Sequence, residues 1–258
     1  MIDRLDSRVL GAIRLVDVTT GTPLLGSLVI SAAGVTGVRN RSGLFVLTHV
    51  DGFEDYEASF ETAPPAPPPA KPGDAPVPVT VTLTASDPTG CYLPRIARVT
   101  LPRDADPANA GTATSLFTPL DVPMYPSPTA GADPGWALVR VSVRRQGTGD
   151  GLPGAFVRVV KATDSTSVLA RGFADARGEA FVPIAGLPTV VWGATTDQPV
   201  LARDVDAVIE AYFDAATAGS PSDPETLEAG RAALPKATTA VKVSSGREVT
   251  ALIELALP

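Results

Sequence analysis

One motif occurs twice in this 258-residue chain and limits its folds more than any other feature. The first copy runs Thr22-Pro23-Leu24-Leu25-Gly26-Ser27-Leu28-Val29-Ile30 and resumes at Asn40-Arg41-Ser42-Gly43-Leu44-Phe45-Val46. The second runs Gly151-Leu152-Pro153-Gly154-Ala155-Phe156-Val157-Arg158-Val159 and resumes at Asp175-Ala176-Arg177-Gly178-Glu179-Ala180-Phe181-Val182. Each copy is a Pro- and Gly-bearing turn, a β-branched strand, then a polar-x-x-Gly turn that opens another strand. A supersecondary unit repeated at this size sets architecture before any residue acquires a chemical role. It implies two similar β-rich domains.

The length accommodates two ordinary cores, and an apolar fraction of 44% is that of a globular chain. The 26 prolines and 23 glycines fall mainly between apolar runs, which is the punctuation of short strands and turns. The fold class expected is all-β: two tandem Ig-like or transthyretin-like antiparallel sandwiches, with a small helical insertion in the second. The first sandwich domain covers residues 1–103 and carries a Pro-rich loop over 63–78. Residues 104–135 read as an extended Pro-rich linker or arm. The second sandwich covers 136–258, with its helical insert at about 203–234.

Strands are expected at Val9–Val18, Leu24–Ile30, Leu44–Val50, Tyr56–Phe60, Val77–Leu83 and Arg95–Leu101 in the first domain. In the second they fall at Ala137–Val143, Ala155–Val160, Val168–Ala174, Glu179–Ile184, Thr189–Trp192 and Val249–Leu257. Between the last two, Val205, Val208, Ile209, Tyr212, Phe213 and Ala216 follow i, i+3, i+4, i+7 spacing behind a capping Asp204. That spacing predicts a helix ending at Gly219. Ser222-Asp223-Pro224-Glu225 predicts a capping box opening a second, short helix through about Ala233.

The inventory of reactive side chains is thin. His49 is the only histidine, so a multi-histidine metal site is impossible and any triad would depend on this one base. A single cysteine, Cys91, excludes an internal disulfide and any multi-cysteine zinc site. No phosphate-binding loop, nucleophile elbow or dinucleotide fingerprint is present. Asp104 with Asp106, Asp204 with Asp206, and Asp175 with Glu179 are acidic pairs able to hold Ca²⁺, but turn or capping duty accounts for each. No cofactor, no metal site and no catalytic residue is therefore expected, and no small-molecule ligand.

A net charge of −7 opposes nucleic-acid binding unless a local basic patch offsets it. The densest basic groups, Arg140, Arg144 and Arg145 and then Arg95, Arg98 and Arg103, lie in strand-like sequence, where a solvated sheet face accounts for them. No apolar run approaches a bilayer span and no secretion signal opens the chain, so the expectation is a protein cytoplasmic at synthesis. Residues 104–135 are too apolar for a plain tether. Leu116, Phe117, Leu120, Met124 and Tyr125, with Tyr212 and Phe213 of the helical insert, are the candidate interface residues.

The stretch Gly151 to Val159 followed by Ala174 to Ala180 resembles the carboxypeptidase regulatory-like domain, a transthyretin-like or Ig-like sandwich of about seven strands. The first copy departs from that pattern, with Leu24-Leu25-Gly26 for Leu-Pro-Gly and Asn40-Arg41-Ser42-Gly43 for the Asp-x-x-Gly turn. The resemblance spans residues 9–60 and 136–190 and implies fold only, since the family is a non-catalytic accessory module. Two such domains joined by a proline-rich arm, with Asp87 to Pro94 leading into Arg98 to Arg103, are similar to structural components of phage tails and phage-tail-like contractile injection systems. The function this implies is a non-enzymatic structural subunit that assembles with itself or with other subunits and is incorporated into a particle. The alternative is an accessory module binding a glycan or a surface protein, with Trp136 or Trp192 as the aromatic platform.

Overall fold

The computed structural model describes residues 8–54, 56, 76–187, 189–190, 201–202, 204–218 and 221–257. Its regular elements are almost all strands, and the chain divides into two compact units. The first comprises Met1–Val16, Pro23–Ser86 and Ile96–Pro123; the second comprises Asp17–Thr22, Asp87–Arg95 and Met124–Pro258. The segment 104–135 is therefore no separate arm. Residues up to Pro123 belong to the first unit and those from Met124 to the second.

In the first unit, β1 (Gly11–Asp17), β3 (Val35–Arg39), β4 (Phe45–Val50) and β7 (Leu120–Met124) form a sheet in the order β3-β4-β1-β7. A second sheet has the order β2-β5-β6, from Val29–Ser31, Val79–Ser86 and Arg95–Leu101. Alternate residues point inward, among them Ile13 and Leu15 of β1, Leu83 and Ala85 of β5, and Ala97, Val99 and Leu101 of β6. Strand β7 lies where the sequence suggested a tether, and the Arg14 guanidinium clips it to β1 by donating to both Asp121 oxygens at 2.6 and 2.8 Å. Tyr56, expected to open a strand, has helical backbone. The remainder of that expected strand, and the Pro-rich loop short of Pro76, lie outside the described residues.

The second unit packs sheet β10-β9-β14-β15 against sheet β11-β8-β16. Their strands are β8 (Ala137–Arg145), β9 (Phe156–Lys161), β10 (Asp164–Phe173), β11 (Glu179–Ile184), β14 (Val205–Tyr212), β15 (Lys236–Val243) and β16 (Glu248–Leu255). Two short strands, β12 (Thr189–Val190) and β13 (Leu201–Ala202), pair with each other. Strand β16 runs parallel to β8, aligning Val249, Ala251 and Ile253 with Val139, Val141 and Val143. Those residues meet Val157, Val159, Ala207, Ile209 and Ala211 in one apolar core.

The expected helix over Val205–Ala216 is a strand as far as Tyr212. Strand β14 lies between β9 and β15, pairing antiparallel with both, and is buried on both faces. Ala207, Ile209 and Ala211 face the apolar core while Glu210 and Tyr212 face the opposite side, also buried. Burial on both faces removes the polar-apolar alternation that marks a half-exposed strand, leaving apolar residues at spacings that also satisfy a helix. The second expected helix forms as α1 (Pro224–Gly230), followed by a 3-10 turn over Arg231–Ala233. Its cap is Asp223, which accepts from the Thr226 N–H at 3.1 Å.

The repeated motif has one hydrogen-bonding scheme in both copies. Asn40 Oδ1 accepts from the N–H groups of Ser42 and Leu44; Asp175 Oδ1 accepts from those of Arg177 and Glu179. Gly43 and Gly178 return a backbone bond to Asn40 and Asp175, each in left-handed backbone (φ +79° and +81°). The copies differ in how tightly the two halves meet. A Cβ on Gly178 would lie 2.6 Å from both Leu152 N and Val143 O, whereas one on Gly43 would crowd only the side-chain tip of Leu25. Accordingly Gly178→Ala should destabilise the second unit by about 2–3 kcal/mol, and Gly43→Ala should cost the first only about 1 kcal/mol. Urea unfolding monitored residue by residue will read the two effects separately.

Candidate functional site

The structure disperses the groups that sequence offered for chemistry. His49 lies on β4 opposite Thr36, its Nε2 3.4 Å from the exposed Asp51 carboxylate. Cys91 is exposed in a turn whose N–H groups converge on Asp87. Members of the acidic pairs serve turns or ion pairs. Asp104 accepts from the Asp106 N–H and from Asn109, which hold its carboxyl below the usual aspartate range. Asp206 faces Lys242 at 3.8 Å, and Asp175 closes its motif turn. No cluster of three or more metal-ligating side chains occurs among the described residues.

The basic groups are engaged as well. Arg140 bridges to Glu248 at 3.2 Å and lies over the Phe181 ring, while Arg144 faces Glu179. Arg103 donates to the carbonyls of Ala113, Ser115 and Thr118 and so shapes the loop that presents Phe117, 57% exposed. A cavity of about 880 Å³ opens beside this loop in the first unit, but the charged groups on its wall are already partnered. Arg8 donates to the Tyr56 carbonyl and stacks on its ring, Arg103 holds the loop, and Asp106 caps the 3-10 turn Pro107–Asn109. Trp136 is half-buried, and Trp192 lies outside the described residues.

Of the seven interface residues suggested by sequence, Met124, Tyr125, Tyr212 and Phe213 are buried in the chain itself. Their apolar character, which on a linker or a helix face would mark an interface, serves the fold: Met124 and Tyr212 lie in strands, and Tyr125 and Phe213 are buried beside them. Leu116 and Leu120 are half-buried, leaving Phe117 exposed.

Two features that the sequence reading missed stand out instead. The first is a polar rung across the outer face of β10-β9-β14-β15, where register places Arg171, Arg158, Glu210 and Thr238 side by side. The adjacent rung is Phe173, Phe156, Tyr212 and Lys236. Glu210 is buried and accepts from Arg158 at 2.8 Å, Lys236 at 2.6 Å and the Tyr212 hydroxyl at 3.1 Å. Burial resists its ionisation, but these hydrogen bonds and the charges of Lys236 and Arg158 outweigh burial and hold the carboxyl below the usual glutamate range. Alternating polar residues in a central strand, Asp206, Glu210 and then Tyr212, were the available signal.

The second is one side of the first unit. Strands β2 and β3 each end a sheet, and only Ala32-Ala33-Gly34 separates them. A link that short spans at most about 14 Å, little more than the ~10 Å between packed sheets, so both edges, unpaired among the described residues, lie on the same side of the sandwich. Every edge strand of the second unit's two packed sheets carries charge: Asp164 and Arg171 on β10, Lys236 and Lys242 on β15, Glu179 on β11, Glu248 and Glu254 on β16. Such charges block unwanted strand pairing. Strand β2 carries none, and the one charge of β3, Arg39, is turned onto the carbonyls of Leu24 and Gly26. Val38 is 62% exposed and Leu25 71%, and of the large exposed apolar residues described only Leu252 belongs to the second unit.

No family model matches the chain, and no curated protein matches it significantly. Among solved structures it is similar to the Bacillus anthracis TIE protein, at 9% identity and a TM-score of 0.28 over 96% of this chain and 34% of that one. It is also similar to a mutant of the shaft pilin spaA from Lactobacillus rhamnosus GG, at 12% identity and a TM-score of 0.20 over 96% and 98% of the two chains. The chain thus spans about a third of the length of the first of these. Superpositions this loose fix neither topology nor function.

Glu210→Gln should destabilise the second unit by about 3 kcal/mol at pH 7, because it removes the nearer carboxylate from the buried Arg158 and leaves only Glu228 to offset that charge. Arg171→Gln, at a half-exposed group, should change stability by no more than about 1 kcal/mol. Because the folded Glu210 carboxyl titrates below its unfolded value, its contribution is complete above the ordinary glutamate range and disappears as pH falls through the folded value. Urea melts at a series of pH values will show that acid limb in the native chain and its reduction in Glu210→Gln.

Proposed function

We propose that this protein is a non-enzymatic structural subunit that works by assembling with copies of itself or with other subunits. The observation that carries the reading is the pair of uncharged, adjacent strand edges, β2 and β3, on one side of the first unit. An open edge offers a ladder of N–H and C=O groups, and adding a partner's strand satisfies them while burying the alternate side chains. Val29 on β2 and Val38 on β3 supply apolar surface there, with Leu25 held nearby by the Arg39 contacts. The charged side chains that sequence offered as acidic pairs, Asp104, Asp175 and Asp206, are committed to turns or ion pairs, which supports a scaffold over a catalyst. The assembly to which we assign it is a phage-tail-like contractile injection particle, on the resemblance of its repeated motif and of residues 87–103 to components of such particles.

Lysine at both edge positions, Val29→Lys with Val38→Lys, should leave the fold within about 0.5 kcal/mol of native stability, since both side chains face solvent in the single chain. The same pair should abolish assembly. Sedimentation of the native chain should give a multiple of 26.5 kDa or co-sedimentation with particles, and the lysine variant should run as a monomer. A native chain that remains monomeric at every concentration and never sediments with particles would refute the proposal.

A further inference from the structure

The ladder of β9 and β10 sets Arg158 directly opposite Arg171 on one face. Two like charges at this position repel, and in a half-buried setting the repulsion is weakly screened. The compensating charge comes from neither strand. Glu228 of α1 reaches down between the two guanidiniums, 3.5 Å from Arg158 Nε and 3.3 Å from Arg171 Nε, with Arg231 a third cation at 3.2 Å. One turn earlier, Glu225 binds Arg95, whose side chain is only 2% exposed while that of Glu225 is 63% exposed. Five cations, Arg95, Arg158, Arg171, Arg231 and Lys236, thus surround three carboxylates, Glu210, Glu225 and Glu228. Even so, Arg158 Nε is buried without a hydrogen bond.

The helix that supplies two of those carboxylates is weakly founded. It has seven residues, well below the length at which a helix sustains itself, and its buried side chains are Pro224 and Leu227. Leu227 rests on the aromatic floor of Tyr125, Phe156, Phe173 and Tyr212. Among these rings Phe156 stacks on Phe173 at 5.0 Å and Tyr125 meets Phe173 edge-on at 4.8 Å. Without α1 this face would be a recess with paired guanidiniums beside an aromatic floor, which is the chemistry of a carboxylate receptor for an acidic, apolar-anchored segment.

We propose that α1 is a displaceable strap, and that the recess under it receives an acidic segment of another chain, whose carboxylate takes the place of Glu228. The site lies in the second unit and is independent of the β2 and β3 edges, so either can fail while the other stands. The probe is a fluorescent peptide of residues 221–234, the acidic segment already shown to fit. Full-length Glu225→Gln/Glu228→Gln protein should bind it, with affinity weakening at least tenfold between 0.05 and 0.5 M salt. Native protein, its own strap in place, should bind at least tenfold more weakly, and a peptide with glutamine at positions 225 and 228 should not bind at all. Absence of binding to a variant whose β9 and β14 amides remain protected overturns the proposal, as does equal binding of the two peptides. Should that variant not fold, amide exchange in the native chain decides. Exchange over 224–233 should accelerate several-fold from 0.05 to 1 M salt while β14 does not change, and an unchanged ratio overturns the proposal.

Discussion

The second unit depends on β14 being buried on both faces. As a middle strand it completes the apolar core with Ala207, Ile209 and Ala211, and in doing so it must take Glu210 out of water on the other side. An isolated buried carboxylate is costly, so the neighbours in register have to answer it. Arg158 on β9 and Lys236 on β15 do so, and Tyr212 adds a hydroxyl. Answering Glu210 with an arginine, however, sets Arg158 beside Arg171, and that imbalance gives α1 its place. The helix is thus the last member of a chain of compensations that starts with one strand's location.

Against this, the repeated turn is local and self-sufficient. A single acceptor oxygen, on Asn40 or Asp175, gathers two N–H groups, and a glycine three residues on takes left-handed backbone to close the loop. Asn and Asp are interchangeable in that role because only the oxygen is used. This is why the weaker first copy, which departs from the Asp-x-x-Gly pattern, makes the same turn. What differs is packing. Gly178 is walled in by the backbone of residues 143 and 151–152, while Gly43 faces only a leucine tip.

The two units also handle their edges differently. Charges stand on each terminal strand of the second unit's two packed sheets, and they keep that sandwich from adding foreign strands. The first unit lacks such protection on the β2 and β3 side, and the exposed apolar residues concentrate in that unit. An unprotected edge is a hazard in a free monomer and a joint in an assembly, so the contrast within one chain bears on function more than any single residue does.

By itself the sequence determined the all-β class, the two copies of the motif, the half-buried strands β8 and β16, and the capped helix α1. Each depends on short-range physics: alternation along one strand, a turn's own hydrogen bonds, or a cap three residues from its donor. Tertiary structure decided the identity of β14, the place of β7 in a sheet, and the burial of Met124, Tyr125, Tyr212 and Phe213. Burial on two faces erases periodicity, and whether an apolar residue faces a partner or its own core depends on strands far away in sequence. The charged rung is the clearest case. Arg158, Arg171, Glu210 and Glu228 carry no spacing that links them, and only the register of three strands and the seat of one short helix bring them together.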